Sequence, residues 1–109
     1  MPRNEVEAAY FTLLRAREDL DGLRRYEEYL RDEVRRLRRF VNEGEALADP
    51  VAPRLRRALR HTEQPLLDAL RARIEVIVDE QQRLPDRVTA AEEFVADCEQ
   101  QHERLRQGR

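Results

Sequence analysis

The residues best suited to chemistry are Cys98, Glu99 and His102, which bring a thiol, a carboxylate and an imidazole within five positions. On a helix, Cys98 and His102 share a face. Glu99-x-x-His102 has the spacing used in carboxylate-bridged metal bundles, where two such motifs and two further Glu converge. Glu5, Glu7 or a second copy of the chain would have to supply the missing ligands. The same spacing recurs in any Glu-rich helix. A metal-carboxylate bundle is therefore only an alternative reading, and no metal or other cofactor is expected.

Catalysis has less to rest on. The chain contains no Ser, which excludes a serine nucleophile. Cys98 falls at an interior position of the helical pattern described below, without an evident activating base. The carboxylates are numerous, but none belongs to a recognisable catalytic motif. The chain is expected not to be an enzyme.

Arginine is the other candidate chemistry. All 21 basic residues are Arg and none is Lys, and the formal net charge is -2. The charge is unevenly placed. Residues 31–61 hold nine Arg against five acids, a net of +4, and residues 62–100 hold four Arg against ten acids, a net of -6. Arg35, Arg36, Arg39, Arg54 and Arg57 form the expected partner-binding set, with Arg38, Arg56 and Arg60 close by. Guanidinium groups pair bidentately with carboxylates and phosphates, so such a cluster suits an acidic protein surface or a nucleic acid. An acidic protein is the expected partner, with nucleic acid or a nucleotide the alternative, but no Gly-rich loop or interleaved aromatic residues accompany the cluster, which favours a plainer reading over both. The plainer reading is a solvated face paired locally with Asp32 and Glu33.

The elements that must position these residues are helices. Charged residues make up 40% of the 109-residue chain and aromatics 6%, with three Gly and no Trp. A narrow apolar stripe on long amphipathic helices fits that balance better than a layered globular core. Alternating steps of three and four from Val6 reach Ala9, Leu13, Ala16, Leu20, Leu23, Glu27, Leu30, Val34, Leu37 and Val41, and all but Glu27 are apolar. The same stepping from Leu67 reaches Leu70, Ile74, Ile77, Gln81, Leu84, Val88, Ala91, Val95, Cys98, His102 and Leu105, with only Gln81 and His102 polar. Each is a heptad seam that requires a helical partner.

The expected fold is all-α: an antiparallel two-helix coiled-coil hairpin with a short connecting helix, assembling into a dimeric four-helix bundle. The first helix is predicted over about 4–42, capped by Asn4 and stopped near Gly44. The connector carries a short helix over about 50–60, opened by Asp49 and Pro50; its merger with the last helix is the alternative. The last helix is predicted over about 63–106, capped by Thr62 and continuous, though kinked, through Pro85. The seams span 36 and 39 residues, roughly 54 and 58 Å at the helical rise, so they match in length. The whole chain reads as one domain.

Pairing Val41 with Leu67 and Val6 with Leu105 sets Glu27 near Gln81, with Tyr26 beside it. These three are predicted to form a polar layer that fixes the register. Tyr10, Phe11, Leu14 and Phe94 lie off the seam at the other end and are predicted to mediate self-association into a homodimer. A single Cys, no secretory leader and no long uncharged apolar run predict a cytoplasmic protein that does not enter a membrane.

Overall fold

A computed structural model describes the backbone of residues 2–48 and 53–108, and the side chains of residues 4–45 and 53–108. The chain is all-helical: α1 spans Pro2–Ala48 and α2 spans Pro53–Arg106. The two long helices pack against each other as a hairpin. Asp49 and Pro50, expected to open a connector helix, lie outside the described residues. No helix among the described residues is long and apolar enough to cross a membrane.

The helices extend further than their local signals predict. Residues 53–60, expected to belong to a separate short helix, form the first turns of α2. Thr62 does not cap a helix start. Its hydroxyl donates to the carbonyls of Ala58 at 3.3 Å and Leu59 at 3.1 Å, the back-bonding of a residue already inside a helix. Pro53 takes the first helical position, where its missing N–H costs nothing. The helix is continuous through both Pro65 and Pro85. Asn4 likewise lies inside α1 rather than at its cap. α2 ends at a glycine: Gly108 adopts φ 71° and donates to the Leu105 carbonyl at 3.1 Å.

The chain's contacts divide it into two compact units, Met1–Glu27 with Arg83–Arg109, and Glu28–Gln82. In the first unit, Leu13, Ala16 and Leu20 of α1 bury against Val95 and Cys98 of α2, with Val88 and Ala91 packed on the same cluster. In the second unit, Leu30, Val34, Val41 and Ile77 are buried. Among the described residues, every fully buried hydrophobic residue occupies a predicted seam position, and every other seam position is at least partly buried. Side chains such as Leu30, Ile77 and Leu84 each contribute roughly 1.5–3 kcal/mol by leaving water.

Within the first unit the strands of charge beside the seam report an antiparallel register. Arg17 pairs with Glu99 at 3.2 Å, and one heptad on Arg24 pairs with Glu92 at 3.6 Å. This agrees with the predicted level of Val6 and Leu105. In the second unit the register differs from expectation. Leu67 Cδ2 lies 3.3 Å from where a Cβ on Gly44 would stand, and Arg71 pairs with Glu45. Leu67 thus meets Gly44 rather than Val41, and Leu70 moves to the level of Val41. Gly44 does not stop α1; its missing side chain makes room for Leu67.

Two substitutions test this packing. A Cβ on Gly22, exposed in the middle of α1, meets nothing within 4 Å. Gly22→Ala is expected to raise the unfolding free energy by about 1 kcal/mol, seen as a higher urea midpoint. Ile77→Ala is expected to lower it by about 2–5 kcal/mol, because Ile77 is 1% exposed and its cavity cannot fill with water. A midpoint unmoved by Ile77→Ala contradicts the seam.

Candidate functional site

The second unit contains a groove beside its seam, of about 700 Å³, lined by Arg31, Arg35, Arg38 and Arg39 together with Asn42 and Gln81. The buried side chain of Val34 lies beneath it, and Glu43 stands at one end. Heptad geometry explains why the arginines gather. Arg31, Arg35, Arg38 and Asn42 are spaced four, three and four residues apart, which keeps them on one flank of α1. All four, and Arg39, are exposed.

On the α2 side of this flank the row Arg71, Glu75 and Val78 carries a carboxylate, Glu75, that makes no ion pair among the described residues. One heptad before Glu45, which pairs with Arg71, Arg38 comes opposite the level of Val78. Asp79 and Glu80 follow immediately, but a helix turns them to its outer side and its opposite flank. Arg31, Arg35, Arg38 and Arg39 make no ion pair or side-chain hydrogen bond among the described residues. Four guanidinium groups beside one groove create a local positive potential that favours anionic groups.

The predicted arginine set is therefore divided by the fold. Arg35 and Arg39 line the groove. Arg36 points elsewhere and pairs with Glu33 at 2.7 Å, so the local pairing expected of a solvated face holds for that residue. Arg57 borders a separate shallow recess with His61 and Asp68, and Arg54 is simply exposed. Arg31, absent from the predicted set, and Arg38 complete the groove. Their four- and three-residue spacing from Arg35 is the sequence signal that marks them.

The three predicted polar-layer residues are distributed between the units. Tyr26 is exposed and Glu27 partly buried in the first; Gln81 is partly buried in the second, where it lines the groove. Glu27 has no hydrogen bond or ion pair among the described residues. No polar or charged residue among those described is fully buried.

The self-association residues are likewise spread. Tyr10 packs its ring on His102, with centroids 5.6 Å apart, and tilts against Phe11 at 5.9 Å. Leu14 is partly buried, whereas Phe11 is 64% and Phe94 53% exposed. Phe94 immediately precedes the buried Val95, while Glu92 and Glu99 immediately follow seam residues. Phe94 thus projects on the flank opposite the Arg17–Glu99 pair beside which Tyr10 lies.

The metal alternative gathers no ligand set. Cys98 is buried in the core cluster, His102 faces Tyr10, and the Glu99 carboxylate accepts from Arg17. No three His, Cys, Asp or Glu converge as ligands among the described residues.

No family model matches the chain, and comparison with curated proteins and with solved structures finds no match to either.

The position of Glu27 generates a test. A partly buried carboxylate without a partner is a poor occupant of an apolar seam. Glu27→Leu is expected to raise stability by about 1–2 kcal/mol through added apolar burial, measured by urea denaturation. A variant less stable than the parent would mean that the carboxylate is held by a favourable interaction.

Proposed function

We propose that the chain is a non-enzymatic docking module whose arginine-lined groove receives an acidic segment of a protein. The observation that supports this is the set Arg31, Arg35, Arg38 and Arg39, gathered beside one groove without a carboxylate partner among the described residues. Elsewhere the chain does pair its arginines across the helices, at Arg17, Arg24 and Arg71. The arginine fork matches a carboxylate bidentately, and a groove beside a helix accommodates an elongated partner. Asn42 and Gln81 add amide groups that both donate and accept.

Phosphate is the second reading, because the same forks suit it. Binding of nucleic acid would fall steeply with salt as counterions are released. Self-association into a four-helix assembly is part of the proposal too. The exposure of Phe11 and Phe94 supports it, on two flanks rather than one.

Fluorescence anisotropy with labelled polyglutamate, and in parallel with a single-stranded oligonucleotide of equal charge, tests the groove. Arg35→Glu/Arg38→Glu is expected to weaken polyglutamate binding by at least about tenfold, or ~1.4 kcal/mol, with unchanged helical circular dichroism. Arg104→Glu/Arg106→Glu alters net charge equally outside the groove and is expected to have little effect. Equal loss in both variants would reduce the interaction to net charge. Tighter, groove-dependent binding of the oligonucleotide would transfer the site to phosphate.

A further inference from the structure

The groove has a counterpart in the same chain. In the first unit, α2 carries Asp86, Glu93 and Asp97 on the side turned away from its seam. All three are exposed, and none makes an ion pair or side-chain hydrogen bond among the described residues. Their neighbours Glu92 and Glu99, by contrast, are paired with Arg24 and Arg17. The groove of the second unit thus gathers unpaired basic charge, and this outer face of the first gathers unpaired acidic charge.

The spacing permits the contact, as it does for any two same-face rows on α-helices, and the choice rests on the complementary charge. Arg31, Arg35, Arg38 and Asn42 step by four, three and four residues. Asp86, Ala90, Glu93 and Asp97 step by four, three and four. A 4-3-4 pattern reads the same in both directions. Two helices laid side by side therefore bring the rows into register whether they run parallel or antiparallel. In the antiparallel case Arg31 meets Asp97, Arg35 meets Glu93 and Asn42 meets Asp86. Arg38 then lies over the small side chain of Ala90, free to reach Glu93.

The structure assigns the groove an occupant: a second copy of this chain, docked through Asp86, Glu93 and Asp97 of its α2. This rests on the reading of the groove as a site for acidic protein, and names the protein. The contact is between exposed charges, so it is salt-sensitive and depends on the opposite sign of the two faces.

Light scattering coupled to size-exclusion chromatography, on the full chain at about 20 mM and about 500 mM salt, spans screening lengths from about 20 to about 4 Å. Mass is expected to stand above the 13.0 kDa monomer at low salt and to fall as salt rises. Two charge-reversed chains sharpen the test: Arg35→Glu/Arg38→Glu, and Glu93→Arg/Asp97→Arg. Each alone faces like charge and is expected to lose self-affinity by at least about tenfold. Mixed, each groove meets an outer face of opposite sign, and association is expected to return.

A wild-type chain whose mass is the same at low and high salt overturns the proposal, and so does a mass at low salt that neither reversal lowers; association that remains at high salt belongs to the apolar flanks of Phe11 and Phe94. Failure of the mixture to associate overturns it too. If the reversed chains lose helical circular dichroism, Arg35→Gln and Glu93→Gln replace them, and the wild-type salt series stands by itself. A monomeric wild type that still binds polyglutamate through Arg35 and Arg38 rejects the second copy alone. Loss of that binding difference rejects the groove.

Discussion

The chain depends on burying a stripe two residues wide along each of two helices. With 40% of its residues charged, neither helix has another apolar surface broad enough to hold it in place. Isolated helices gain little from propensity alone, and most helical stability in proteins comes from packing one face. Here that face is the seam: Leu13, Ala16 and Leu20 against Val95 and Cys98 in one unit, and Leu30, Val34 and Val41 with Ile77 in the other. The seam also fixes every flank. Once Gly44 meets Leu67, the position of Arg38 beside an apolar stretch of α2 follows from seven-residue periodicity, with no further choice.

The charges beside the seam have a different role from the seam itself. Arg17–Glu99 and Arg24–Glu92 are about half exposed on both partners. Such pairs contribute about 0–1 kcal/mol, so they report the register more than they create it. It follows that the fold tolerates unpaired arginines at the groove at small cost. Their side chains are outside the core, their stems cover part of the seam edge, and their charged ends stay in water. A site assembled from residues that folding does not need can change without unfolding the scaffold, which is the usual relation between a binding surface and the elements that present it.

Most of the fold was legible from periodicity. The seam stepping from Val6 and from Leu67 selects all the fully buried residues among those described, and it runs through Pro85 without a change of phase, as α2 does. What misled was local punctuation. Asn4, Gly44 and Thr62 are each favoured at helix ends, but all three lie inside helices. Caps and stops carry about a kilocalorie or less each, which packing overrides. Gly44 is the instructive case. A glycine can end a helix or admit a neighbour's side chain, and only the opposing Leu67 decides between the two. Taken as a helix end, Gly44 shifts the expected pairing by one layer, setting Leu67 rather than Leu70 at the level of Val41.

The site was less legible than the fold, for a related reason. Sequence showed that residues 31–61 are basic, but clustering along the chain is not clustering in space. A helix separates Arg35 from Arg36 by about 100°, enough to send one into the groove and the other to Glu33. Only the seam's phase sorts them. Read in that phase, the charge imbalance between the two halves of the chain has a physical meaning. A hairpin brings basic and acidic segments side by side, and they would neutralise each other if the charges faced the shared flank. In the second unit Val78 stands at the level of Arg38, and Glu75 on the same flank of α2 makes no ion pair among the described residues. The basic charge that the hairpin leaves uncancelled is therefore a consequence of register, and it remains available to an acidic group from outside the unit.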